Sequence, residues 1–164
     1  MKTLFRMMAL FALLFAAASC SDDDEAIAMP SLDVNYANVA GTWKLSEWNG
    51  EELNDTRYYY ITFNRKAEDD KRTYIIYTNL NSAVSERITG TFLLDKDDDD
   101  ADVISGTYDY TMSINDAWEN KYFVEELTNE KMSWKATENV EEVRVYTRCS
   151  EVPADIVNGI RNVK

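Results

Sequence analysis

Thirty carboxylates and no histidine bound the chemistry open to this 164-residue chain. Without an imidazole, Ser-His-Asp and Cys-His catalysis in their usual forms are excluded, as are histidine-ligated zinc and copper sites. The five glycines form no phosphate-cradling loop. Paired carboxylates could work on a glycosidic bond. The two candidate pairs, Glu125-Glu126 and Glu141-Glu142, are sequence neighbours. On strands each pair would split across opposite faces. Asp95, Asp97 and Asp99 imitate the start of a calcium loop. Asp100 stands where the turn glycine belongs, and Gly106 where the closing glutamate belongs, so the stretch reads as a solvated hairpin loop. The expectation is a non-enzyme without catalytic residues, metal or cofactor.

Aromatic side chains are the remaining chemical resource. Four tryptophans, ten tyrosines and six phenylalanines can fill a core, pair across strands or line a pocket. Phe63, Tyr108, Tyr110 and Trp134 are candidates to line a ligand cavity. Such a cavity would hold a small apolar or amphipathic ligand by burial, with tyrosine hydroxyls setting its orientation.

A different chemistry is written near the start. Lys2 and Arg6 precede an uncharged apolar run, Met7–Ala18, too short to cross a bilayer as a stop-transfer helix. This is the layout of a secretory signal peptide. Ala17-Ala18-Ser19-Cys20 resembles the bacterial lipobox, in which the cysteine thiol is lipidated and becomes the new N-terminus. Two or more acyl chains would anchor the protein stably, where one holds only marginally. Ser21-Asp22-Asp23-Asp24-Glu25 resembles the acidic tether that sends lipoproteins of the Bacteroidetes to the outer face of the outer membrane. Physically it is also an extended, solvated linker.

The formal charge is −13, and removal of residues 1–19 takes away two basic residues and no acid. Such a surface repels phosphates, which excludes a nucleic-acid role. If Cys20 carries lipid, Cys149 has no partner in the chain and no disulfide is expected. Cys149 reads as a buried small residue near a strand end.

Alternation and turn chemistry predict eight strands: Thr42–Trp48, Arg57–Asn64, Arg72–Thr78, Glu86–Leu94, Val103–Ser113, Lys121–Leu127, Lys131–Thr137 and Val140–Arg148. Asn49-Gly50, Glu68-Asp69-Asp70 and Thr128-Asn129-Glu130 are among the turns. No connection is long enough for crossover helices, so the sheet must be antiparallel. The expected fold is all-β, an eight-stranded antiparallel up-and-down barrel, since closure removes the exposed edges. A two-sheet β-sandwich is the alternative. The domains then run as signal peptide 1–19, acidic tether 20–38, barrel 39–150 and C-terminal tail 151–164. The tail has the makings of a short helix, with Ile156, Val157 and Ile160 on one side, packed on the exterior or frayed.

Gly41-Thr42-Trp43 at the head of the first strand resembles the G-x-W element that opens the first strand of lipocalins. Arg144 and Arg148 lie on the last strand, from which lipocalins lay an arginine over that tryptophan to close the barrel bottom. Tyr122 to Trp134, with its Leu127-Thr128 strand end, resembles a hairpin of small lipocalin-like lipoproteins of the Bacteroidetes. The resemblance implies a lipocalin-like barrel closed by Trp43 with Arg144 or Arg148. Its partners would be the membrane, through the lipid anchor, and a small apolar ligand. A filled barrel binding an envelope protein or glycan is the other reading. Replacing Cys20 with alanine is expected to abolish palmitate incorporation and release the chain from the outer-membrane fraction. Undiminished labelling of that variant would contradict the lipobox.

Overall fold

The computed structural model describes residues 29–54, 56–109, 116–139 and 141–159. Cys20, with the rest of the leader and the acidic run, lies outside them, as does Tyr110. Helix α1 (Tyr36–Val39) precedes strand β1 (Gly41–Trp48) and a two-residue strand β2 (Glu51–Glu52). Strands β3 (Tyr59–Phe63), β4 (Arg72–Thr78), β5 (Glu86–Lys96) and β6 (Asp102–Tyr108) follow. Then come β7 (Tyr122–Leu127), β8 (Lys131–Ala136), β9 (Val143–Cys149) and helix α2 (Ala154–Val157). Every pairing is antiparallel, and each long strand bonds to the next in sequence. Strand β9 returns to β1, with Thr42 opposite Cys149 and Trp48 opposite Arg144. Eight strands therefore close into an up-and-down barrel, and the sandwich alternative is excluded.

Local chemistry explains the corners. Asn49 and Gly50 both take positive φ, at 53° and 81°, which a two-residue hairpin between twisted strands requires. This hairpin folds β2 back along the upper part of β1, beyond the end of β3. The Asn49 side chain also accepts a bond from the Val143 N–H at 2.8 Å, tying the turn to the start of β9. In the aspartate turn, Asp97 Oδ1 accepts from the N–H groups of Asp99 and Ala101, at 3.0 and 2.7 Å.

The interior fills from alternate positions. Trp43, Leu45, Ile61, Phe63, Tyr74, Ile76, Phe92, Ile104, Trp134 and Tyr146 are among its buried side chains. Gly90 and Gly106 make room for two of the large rings. A Cβ on Gly90 would lie 1.9 Å from the Thr107 carbonyl and 2.5 Å from the Tyr74 hydroxyl. A Cβ on Gly106 would lie 2.3 Å from the Trp118 indole. A second cluster sits outside the barrel, where Ile156 of α2 is buried against Tyr58 and Tyr60 beside Cys149. The tail thus packs on the exterior as a short helix; residue 160 lies outside the described residues.

One end is closed by chain that precedes the first strand. Asn35 caps α1, accepting from the N–H groups of Ala37 and Asn38 at 3.0 Å each. The Leu32 N–H donates to the Leu127 carbonyl at 2.8 Å, and Tyr36 packs edge-on against Phe92. Residues 32–38, assigned to the tether by sequence, are therefore part of the packed unit. The Trp43 indole N–H donates to the Val39 carbonyl at 2.8 Å. The Arg148 guanidinium lies 3.9 Å from the centre of the Trp43 ring. It also donates to the carbonyls of Ala40 and Asn38, at 2.7 and 2.6 Å. Of the two arginines left open by sequence, Arg148 is the one that closes this end.

Charge-assisted hydrogen bonds contribute about 1.5–3 kcal/mol, and a guanidinium stacked on an indole about 0.5–2 kcal/mol. Arg148→Ala is expected to lower unfolding free energy by about 2–4 kcal/mol, read by urea denaturation. A loss below about 0.5 kcal/mol, within the range of a featureless surface change, would contradict the closing role.

Candidate functional site

Strand β9 turns its apparently polar face inward: Arg144, Tyr146 and Arg148 point into the barrel. Arg148 serves the closed end. Arg144, four residues earlier, sits at the opposite end, the mouth. Its guanidinium lies 4.9 Å from the centre of the Trp48 ring and 4.8 Å from that of Tyr122. Trp48 comes from the end of β1, opposite Arg144 in register, because a bulge between Leu45 and Glu47 resets the pairing.

The counter-charge is Glu142, in the turn before β9, which delays that strand's start to Val143. Arg144 donates to Glu142 Oε1 through Nε at 2.8 Å and through a second nitrogen. The same oxygen accepts from the Tyr122 hydroxyl at 3.2 Å, and Oε2 accepts from the Asn120 side chain at 2.8 Å. Glu142 is 8 % exposed. Such pairing is what a buried charge needs, since an uncompensated one would cost several kcal/mol. The other glutamates singled out behave differently. A bulge between Val124 and Glu126 leaves Glu125 and Glu126 both on the outside, paired with Lys135 and Lys131. The expected split of that pair across the strand is corrected by the bulge.

Between this ion pair and Trp134 lies a cavity of about 60 Å³, lined by Tyr59, Tyr108, Trp118, Glu119, Trp134 and their neighbours. A drug-sized ligand occupies roughly 300–1,000 Å³, so the cavity admits the end of a molecule rather than the whole. Trp118 is the reason the space is small. The β6–β7 pairing is limited to Val103–Phe123 and Ile104–Tyr122. Segment 116–121 fills the gap above that short ladder. The Trp118 N–H donates to the Gly106 carbonyl at 2.8 Å, and its indole N–H to the Tyr74 hydroxyl at 2.8 Å. Its ring then stacks at an angle 5.8 Å from Trp134. A more open groove of about 480 Å³ runs between Leu93, Ser105 and Thr107 on one side and Trp118 to Lys121 on the other.

Of the candidate cavity residues, Tyr108 and Trp134 are brought together here. Phe63 is not among the lining: it packs lower, 4.6 Å from Phe92 and 6.1 Å from Trp134. Tyr110 lies outside the described residues. Sequence reading missed Trp118 and Tyr59, and it named Glu142 only as half of a candidate carboxylate pair, not as the partner of Arg144. An isolated tryptophan in a polar stretch, and a glycine inside a strand at Gly106, were the available signals.

Burial dominates the electrostatics. It pushes the Tyr59 phenol well above its ordinary range, helped by nearby Tyr146, and raises Tyr108 while Arg144 opposes. Tyr146 is pushed up to about 12, burial outweighing the Arg144 charge beside it. Burial alone would make Arg144 easier to deprotonate. The phenols of Tyr146, Tyr122 and Tyr59 and the Glu142 carboxylate together hold its proton more firmly instead.

A closed antiparallel barrel of eight strands, packed at one end and carrying a small aromatic cavity at the other, defines a class of protein suited to holding small ligands. The family model for the lipocalin-like domain matches residues 39–134, more than half of the chain, and the chain belongs to that family. No curated protein and no solved structure matches it.

The raised phenols carry a pH consequence. The native barrel holds the Tyr146 proton up to about pH 12, whereas the unfolded chain releases it near 10. Stability from this group is complete below pH 10 and falls as pH rises from 10 to 12. Absorbance at 295 nm and circular dichroism, followed together, are expected to show late tyrosine ionisation coinciding with unfolding. Complete ionisation near pH 10 with the fold intact would contradict the buried cluster.

Proposed function

We propose that this chain is a lipid-anchored cell-envelope protein of the outer membrane that takes the end of a small amphipathic ligand into its barrel mouth. The observation that carries the ligand reading is the cavity above Trp134. It is walled by rings and supplied with polar groups at one end of an otherwise packed barrel. Burial of ligand surface on those rings would provide affinity, and the polar groups orientation. The anchor reading rests on Cys20 and the acids behind it. With residues 32–38 packed on the closed end, a tether there sets the mouth away from the membrane. The ligand would then arrive from the surroundings rather than from the bilayer beneath.

The groove beside Trp118 favours a second reading, a docking face for an envelope protein or glycan. Leu93 on its wall is 56 % exposed. Native mass spectrometry of the protein, extracted from its own envelope in mild detergent, separates the two. A retained small molecule is the expected result. A bare barrel, or one that keeps a protein partner instead, would contradict ligand carriage.

A further inference from the structure

Among the described residues, two hydrogen-bond donors inside the barrel meet no acceptor. The Trp134 side chain is 1 % exposed and lines the cavity, and its indole N–H makes no hydrogen bond. The Tyr146 ring packs 4.6 Å from it and is 0 % exposed; its hydroxyl oxygen lies beside the Arg144 guanidinium, and its own proton meets no acceptor among the described residues. An unsatisfied buried donor costs about 1–3 kcal/mol, and native proteins rarely keep one without a use. An indole N–H donates a hydrogen bond and cannot accept one, so only an acceptor satisfies it.

The charges around the cavity select among acceptors. Arg144 is already matched by Glu142, through two nitrogens on one oxygen. That pair contributes no net charge, and Glu119 on the cavity wall adds a negative one. An incoming anion would have to displace Glu142 and face Glu119. An incoming cation would face Arg144 and leave both donors unpaired. A purely apolar group would also leave them unpaired. An uncharged group with a carbonyl-type oxygen meets each condition, and the space of about 60 Å³ suits a group of that size.

We propose that the cavity above Trp134 binds the uncharged, carbonyl-bearing end of a ligand — an amide, ester or lactam — whose oxygen accepts from the Trp134 indole N–H. Tyr146 is the second donor available to it, one layer deeper in the barrel. The proposal rests on the ligand-binding reading above and names the chemistry of that site. It also assigns Glu142 a role: by holding Arg144, it cancels the only positive charge lining the cavity among the described residues and so selects against anions.

Three probes sharing one ring test it: benzamide, benzoate and toluene, titrated at millimolar concentration into the whole chain labelled with nitrogen-15. The Trp134 indole resonance reports the contact directly. Benzamide is expected to bind about tenfold more tightly than either other probe, the effect of one buried hydrogen bond, and to move that resonance downfield. Trp134→Phe is expected to bring benzamide down to the level of toluene. Should this variant fail to fold, the wild-type resonance still decides. Benzoate binding as tightly as benzamide would overturn the uncharged-acceptor class. Toluene binding as tightly would overturn it too, while leaving small-ligand binding intact. No response of the Trp134 resonance to any probe would overturn both readings, the donor being satisfied by water alone.

Discussion

The seam between the first and last strands is the constraint on which everything else depends. An open sheet of eight strands would present two rows of unpaired N–H and C=O groups, each a template for aggregation. Here β1 and β9 exchange those bonds from Thr42 to Trp48. Rings and guanidinium groups hold the seam from within. Arg148 over Trp43 fixes its lower end, and Arg144 over Trp48 its upper end. Two arginines four residues apart point inward on the same strand, which places one at each end of the interior. One became a structural plug and the other the polar centre of the mouth.

The difference between those two ends comes from what the guanidinium meets. At the closed end it meets main-chain carbonyls supplied by α1 and the residue after it, acceptors that a short N-terminal segment can offer without adding charge. At the mouth it meets a carboxylate, and the carboxylate needs its own partners, Tyr122 and Asn120. The lower barrel is thereby packed, whereas the upper barrel carries ordered polar groups beside rings. Trp118 limits the space and sharpens this contrast, because its indole occupies room left by Gly106. A ligand must enter by its end.

Much of the fold was legible in the sequence, because period-two alternation reports on one dry face. Strand β4 has the bounds expected of it, and the Asn49-Gly50 turn needed only its backbone preferences to be recognised. Alternation alone did not assign the inward face of β9, because arginine is ordinarily placed outside; the lipocalin resemblance is what put one of its arginines over Trp43. Only the aromatic partners, distant in sequence, make the inside tolerable. The packed segment 32–38 was hidden for a similar reason. A four-residue helix has no periodicity to detect, and its stability comes from Asn35 as a cap and from tertiary contact. Glu142 was indistinguishable from the other acids until its partners were placed around it. The bulge that moved Glu126 outward leaves no mark in a pattern of alternation.

The central claim is that the barrel is closed by its first and last strands and behaves as one cooperative unit around that seam. Native-state amide hydrogen exchange measures this directly, residue by residue. The main-chain amides of β1 and β9 that bond across the seam are expected to exchange only through global unfolding, with protection equal to that of β4. Exchange of the seam amides by a lower-energy local opening, while β4 and β5 stay protected, would contradict it.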